Sequence, residues 1–143
     1  MRLDWALLAN AAEAPPQGLV YILGAGIDTL WRDSFPAPFG GAIVIRLLAS
    51  RIEAARAHRL EVHCNDQDGS PVLSGPIVVD LAARSVPSDQ PHGWDLATNI
   101  VVNLAGVAIP REGLYTFEII IDNQQVRSLP FRGALKSQGS AGS

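Results

Sequence analysis

The sequence is poor in cysteine, in lysine and in charge of either sign. A single cysteine, Cys64, among 143 residues excludes an intramolecular disulfide and a cysteine-based zinc cluster. Lys136 is the only lysine, and charged residues make up 17% of the chain, against about 25% in a typical domain. With a net charge of −3 and no basic stripe to neutralise phosphates, nucleic acid is not expected as a partner.

Long apolar runs are also missing. No segment approaches the ~18 consecutive apolar residues of a membrane span, so no membrane partner is expected. The apolar run from Trp5 to Ala9 follows Asp4 and is too short for a signal peptide, whose apolar region has about 7–15 residues. Together with the single cysteine, these features predict a cytoplasmic protein.

Apolar residues are abundant, at 48% of the chain, and they follow a period of two rather than 3.6. Leu60, Val62 and Cys64 alternate with polar residues, so all three should face inward. Near the C-terminus the inward face consists of Tyr115, Phe117, Ile119 and Ile121. Eight strands are predicted, at residues 2–9, 19–27, 43–48, 58–64, 77–81, 99–104, 115–121 and 125–129.

Strands separated by turns rich in proline and glycine predict an all-β fold. We expect a two-sheet β-sandwich of about eight strands, immunoglobulin-like or jelly-roll-like, over residues 1–132. At most one short helix is predicted, near residues 50–57, with Ser50 as N-cap and Glu53 completing a capping box. Residues 133–143 are rich in glycine and serine, which predicts a flexible tail.

A short motif before the penultimate predicted strand resembles the tyrosine corner of immunoglobulin-like sandwiches. In that motif a tyrosine follows a glycine by two residues and its hydroxyl bonds back to the chain, as Gly113 and Tyr115 allow. Arg111 replaces the usual acidic residue, and Phe117 stands where antibody domains have a disulfide cysteine. The resemblance therefore implies the corner but not kinship with antibody domains.

A second resemblance covers most of residues 1–132. The segments LDWALLANAA (residues 3–12), YILGAGIDTLW (residues 21–31) and HRLEV (residues 58–62) are similar to a family of small uncharacterised bacterial proteins. The resemblance implies a bacterial, cytoplasmic, single-domain protein and brings no activity with it.

Two motifs resemble known ligand-binding motifs, but we interpret both as structural. Gly24-Ala25-Gly26 follows a strand as in dinucleotide-binding folds, but the prolines at 36 and 38 interrupt the helix that should hold the pyrophosphate. A bulge or kink is therefore expected there. Asp66-Gln67-Asp68-Gly69 resembles part of a calcium loop but lacks the acidic twelfth ligand, which favours a plain turn.

No catalytic residues, cofactor or metal are predicted. The three histidines are too scattered for a metal site, no G-x-S-x-G elbow is present, and no pair of carboxylates has a spacing that indicates acid–base work. The remaining binding candidates are loop aromatics and an edge strand expected at Val126–Leu129, which Arg127 and Pro130 alone protect. The aromatic candidates are Trp31, Phe35, Phe39 and Trp94.

Three functional classes stay open. The first is a non-enzymatic interaction or assembly protein, docking on itself or on another protein through a sheet edge or an apolar face. The second is a module that binds a small ligand or a carbohydrate through the loop aromatics. The third is an enzyme of unrecognised type. The high apolar content of the chain and the free edge expected at Val126–Leu129 favour the first class.

Overall fold

The computed structural model describes residues 1–16 and 18–137. All eight predicted strands form in that part of the chain, together with three short strands that were not predicted, β3, β4 and β9. The strands are β1 (Arg2–Glu13), β2 (Tyr21–Ala25), β3 (Thr29–Arg32), β4 (Ala37–Pro38), β5 (Ala42–Ala49), β6 (His58–Asp66), β7 (Ile77–Leu81), β8 (Leu96–Asn103), β9 (Ala108–Ile109), β10 (Gly113–Ile121) and β11 (Gln124–Leu135).

The strands form two main sheets that pack face to face. The first sheet has the order β2-β1-β5-β8 and is antiparallel throughout. The second sheet has the order β3-β11-β10-β6-β7, and only its β3–β11 pair is parallel. A small pair, β4–β9, completes the structure. The predicted all-β sandwich is therefore confirmed, while the choice between immunoglobulin-like and jelly-roll topology stays a prediction.

One apolar cluster joins the two sheets. The predicted inward faces of β6 and β10 are confirmed, because their alternate side chains are at most 4% exposed. They pack against Leu8, Ile43 and Ile45 of the first sheet. At one end of the cluster four aromatic rings stack or meet edge to face, with centroids 5.1–5.5 Å apart: Phe39, Tyr115, Phe117 and Phe131.

The one helix among the described residues, α1 (Arg51–Ala54), begins as its sequence predicts. The Ser50 hydroxyl accepts a hydrogen bond from Glu53 N at 3.2 Å, and Glu53 Oε1 accepts one from Ser50 N at 2.9 Å. This reciprocal pair is the expected capping box. With four residues, α1 is far too short to cross a membrane, and no other described segment is a helix that could.

The tyrosine corner forms the hydrogen bond that its motif predicts. The Tyr115 hydroxyl donates to Arg111 O at 2.6 Å and accepts from Arg111 N at 3.3 Å. These bonds fix the connection that leads into β10.

The predicted start of the tail at residue 133 is corrected by the structure. Strand β11 continues to Leu135, and Arg132–Leu135 pairs in parallel with Thr29–Arg32 of β3. Residues 138–143 of the predicted tail lie outside the described residues.

Candidate functional site

The far half of β1 and strand β2 form a hairpin that folds across the outer face of the first sheet. We call this hairpin the arm; it comprises residues 9–16 and 18–25. Val44 points to the outer face, because Ile43 and Ile45 on either side face the core, yet it is fully buried. Asn99 of β8, at the opposite side of the sheet from β2, donates its amide to Gly18 O at 2.7 Å. The arm therefore spans the sheet and covers Val44.

The outward side of the arm is apolar along β2, while β1 contributes the exposed Glu13, the cross-strand partner of Tyr21. Ala12 and Ile22 pair across the arm and are half-buried, so they face the sheet below. The next positions along β2 face solvent instead: Tyr21 is 56% exposed and Leu23 is 71% exposed, and Leu19 just before β2 is 62% exposed. Three large apolar side chains thus lie in a row on the surface.

Strand β2 is also an edge strand with unpaired backbone groups. Gly26 N donates to Leu8 O at 2.8 Å, in the register that pairs Ile22 with Ala12. Because bonded and non-bonded pairs alternate in an antiparallel ladder, the N–H and C=O of Tyr21 and Leu23 point away from β1. Among the described residues these groups have no backbone partner.

No charged residue lies anywhere in residues 14–27. The strand ends in a kink at Gly24, whose φ is +68° and where a Cβ atom would stand 2.7 Å from Asn10 Nδ2. Glycine is therefore favoured there, and the backbone bends at the Gly24-Ala25-Gly26 motif as predicted. The helix of a dinucleotide-binding fold does not follow, since the next element is strand β3.

The other sheet edges carry features that oppose strand pairing. Edge strand β7 bears the exposed carboxylate of Asp80. At edge strand β8 the Arg84 guanidinium donates to Ala97 O at 3.1 Å. Arg32 lies on edge strand β3 and bonds the carbonyls of Pro38 and Phe39. Charged side chains on an edge discourage association, so β2 is the least protected edge described.

The predicted edge at Val126–Leu129 has one side without a neighbouring strand, but other features of this stretch oppose strand pairing. This part of β11 pairs with β10 alone, since β3 reaches only Arg132–Leu135. The register shifts by one residue next to Val126, which is a β-bulge, and both Val126 and Leu129 pack partly against the core. The bulge, Arg127 and Pro130 together make this stretch a poorer docking edge than β2.

The predicted aromatic candidates are not brought together. Phe39 is 2% exposed in the core, so it cannot contribute to a surface platform. Phe35 is half-buried and its ring lies against Gly133, where a Cβ atom would come within 3.1 Å of the ring. Trp31 is 49% exposed on β3, with the Arg132 guanidinium 5.3 Å from its ring centroid.

Trp94 is the most exposed of the four, at 67%, and it lines a surface groove of about 440 Å³. Two guanidinium groups share the groove. Arg46 donates to Asp4 Oδ2 at 3.1 Å, and Arg84 is held by Ala97 O. The other lining residues are apolar, polar and, at Asp95, acidic: Ser85, Pro87, Gln90, Asp95, Leu96 and Ala97.

The carboxylate of Asp66 caps the turn that follows β6. Asp66 Oδ1 accepts hydrogen bonds from Asp68 N at 3.0 Å and from Ser70 N at 2.9 Å. Arg111 binds the other carboxylate oxygen at 3.0 Å. The Ser70 bond is the largest cause that holds the pKa of Asp66 below its ordinary value. The carboxylate thus closes a turn, as predicted.

Sequence reasoning missed a polar cluster around the buried side chain of His58. Its Nδ1 lies 2.5 Å from Asp122 Oδ2 and its Nε2 lies 2.6 Å from Glu53 O, so the ring joins the β10–β11 turn to helix α1. Partial burial raises the pKa of Asp122, but hydrogen bonds from His58 and from Arg59 N outweigh it and the net shift is downward. His58 shares the inward face of Leu60 and Val62, and this alternation is the signal that could have revealed it.

A small cavity of about 180 Å³ lies beside His58. Its walls are mostly apolar, and its charged lining comes from Arg56, Asp80 and Arg84. Within the described part of the chain no three histidine, cysteine or acidic side chains come together as a metal ion would require. The hydrogen bonds of His58 tie the β10–β11 turn to helix α1.

One comparison with known proteins gives a result. The model of the family of unknown function DUF6941 matches residues 4–133, which is nearly the whole chain. No curated protein and no solved structure matches the chain significantly. The chain belongs to this family of unknown function.

Proposed function

We propose that this member of the DUF6941 family is a non-enzymatic interaction protein that docks by adding a strand to the free edge of β2. The observation that carries the proposal is the exposed, uncharged row of Leu19, Tyr21 and Leu23 on an edge strand with unpaired backbone groups. Strand addition uses main-chain hydrogen bonds for affinity and alternate side chains for specificity.

The arm supports such docking because it is anchored on the sheet. The Asn99–Gly18 hydrogen bond anchors its tip, and Ile22 packs inward against the sheet. A preorganised edge loses little conformational freedom when a partner binds. The compartment we propose is the bacterial cytoplasm, where the single cysteine, Cys64, would remain a thiol.

The test is a photo-crosslink from the edge itself. Benzoylphenylalanine in place of Tyr21 should, on irradiation in cells, capture a β-strand segment that mass spectrometry identifies from the crosslinked peptide. The same group in place of Leu114, which is 58% exposed on β10 of the other sheet, is the matched control. Capture from position 114 but not from position 21 would overturn docking on β2, as would no capture from either.

A second candidate function is binding of a small anionic ligand in the groove beside Trp94. The favouring observation is the exposed indole in one groove with Arg46 and Arg84, since an aromatic face and guanidinium groups suit a planar acid or an acidic sugar. This candidate retains only Trp94 from the predicted aromatic set.

Titration with glucuronate, read by tryptophan fluorescence, tests this candidate. Saturable quenching should occur, be lost in Trp94→Ala and persist in Trp31→Ala, because Trp31 lies on β3 outside the groove. The absence of saturation, or its persistence in Trp94→Ala, would remove this candidate and leave docking on β2 unaffected.

A further inference from the structure

The exposed side chains of β2 and of Leu19 just before it form a row that can pair with the same row of a second copy. Leu19, Tyr21 and Leu23 carry no charge, and the whole segment 14–27 is also neutral. Two copies of such a strand can approach without like charges meeting, whereas a neutral edge offers nothing to steer a charged partner. Charge therefore favours a second copy of this chain over a charged peptide.

The unpaired backbone groups define how two copies can meet. The N–H and C=O groups of Tyr21 and Leu23 both point to the free side. In an antiparallel pair centred on Ile22, Tyr21 of one copy faces Leu23 of the other, and these two residues exchange both hydrogen bonds. The same contact then recurs on the other side of the centre, as a twofold axis requires.

We propose that the protein forms a twofold homodimer through antiparallel pairing of β2 with β2 of a second copy, centred on Ile22. The pairing joins the two first sheets into one eight-stranded sheet and covers the free β2 edge of each copy, leaving β8 at either end. Each aromatic Tyr21 then lies against the aliphatic Leu23 of its partner, which is a favourable cross-strand pair. This inference rests on the proposed function, since it names the partner of the same edge.

Light scattering of the purified full chain measures the association. At micromolar to millimolar concentration the mass should reach twice the 15.2 kDa of one chain. Leu23→Lys should return the mass to that of one chain, because it removes the apolar Leu23 contact on both sides of the axis and places a lysine, which opposes strand pairing, on the edge. Leu114→Lys, at an exposed strand position of the other sheet, should leave the dimer intact. A single-chain mass at every concentration, or a dimer that survives Leu23→Lys, would overturn the proposal.

Mixing two variants tests the register itself. Tyr21→Glu and Leu23→Lys should each be monomeric alone, since each places charges against apolar partners. Mixed together they should dimerise, because the carboxylate introduced in one variant faces the ammonium group introduced in the other, while the second Tyr21–Leu23 contact remains. If each variant is monomeric and the mixture stays monomeric, the pairing centred on Ile22 is wrong. Circular dichroism checks that both variants keep the fold, as expected for changes at exposed positions.

The outcome separates this inference from the proposed function. A single-chain mass in solution, together with a photo-crosslink from position 21 to a strand of a different protein, would remove the homodimer and keep docking on β2. The absence of both would remove both proposals. A crosslink from position 21 to residues 19–25 of a second copy would support both.

Discussion

At the scale of single residues, burial decides what each polar or reactive side chain does. Cys64 is 1% exposed between Val62 and the turn of Asp66, and burial is the main cause that raises the pKa of its thiol to about 12. The negative charge of Asp66 adds to that rise. Cys64 is therefore held as a neutral thiol in the core, where it packs as a small apolar side chain.

We expect the native protein to react very slowly with iodoacetamide at pH 8. With a pKa of about 12, only about one thiol in ten thousand is a thiolate at that pH, and the thiolate is the reactive form. Labelling should become fast in denaturant. Mass spectrometry of time points follows the reaction, and equal rates with and without denaturant would contradict the burial of Cys64.

Asp122 makes the stability depend on acid pH. Its folded pKa lies below the ordinary value, so its hydrogen bonds to His58 and Arg59 stabilise the fold fully above about pH 5, and this contribution disappears as pH falls through the folded pKa. Asp122→Asn should lower the urea midpoint at pH 7 and reduce the difference between pH 7 and pH 3.

Asp89→Asn serves as the control for this change, because Asp89 is exposed. Its urea midpoints at both pH values should match those of the unchanged protein. A pH dependence of Asp122→Asn identical to that of the unchanged chain would show that the His58–Asp122 contact contributes nothing to acid stability.

At the scale of elements, the connection before β10 depends on one hydroxyl. Tyr115→Phe removes the donor to Arg111 O while keeping the ring that stacks on Phe131. A buried hydrogen bond contributes about 1 kcal/mol, and we expect a loss of that order in the free energy of unfolding. Chemical denaturation measures it.

The only other tyrosine provides the matched control. Tyr21→Phe removes the same atom from a side chain that is 56% exposed, and it should change stability by less than about 0.5 kcal/mol. Equal losses in both variants would contradict the special role of the corner.

Local sequence signals predicted the elements that depend on neighbouring residues. Alternation placed β6 and β10 with their inward faces, and the spacing of Ser50 and Glu53 predicted the capping box. The short strands β4 and β9 were missed, because two residues do not make a period.

Features that depend on distant residues could not be predicted in this way. Strand 19–27 was expected, but its place at the edge follows from the order β2-β1-β5-β8, which no local pattern encodes. The burial of Val44 beneath the arm and the pairing of β3 with β11 depend on the same kind of long-range contact. The sequence therefore predicted docking at Val126–Leu129 and gave no indication of the edge on β2 that we propose.

At the scale of the whole molecule, a single core holds the two sheets together. Phe117 is fully buried and contacts the rings of Phe39 and Phe131. Phe117→Ala should reduce the free energy of unfolding by about 3–5 kcal/mol, because it removes apolar contacts and leaves a cavity.

Thermal unfolding followed by circular dichroism measures this loss. Leu114→Ala on the same strand is the control, since Leu114 is 58% exposed and its truncation should cost far less. Similar effects at the two positions would show that the sheets do not share one tightly packed core.

The parallel pairing of β3 with β11 has a consequence for biosynthesis. Arg132 bonds Thr29 across a separation of 103 residues, so at about 5–20 residues per second a ribosome needs about 5–20 s to supply the partner that β3 awaits. All strands of the first sheet lie within residues 2–103 and emerge earlier. The nascent chain therefore presents an apolar sheet face before the opposing sheet is complete, and this interval is when a chaperone would be needed most.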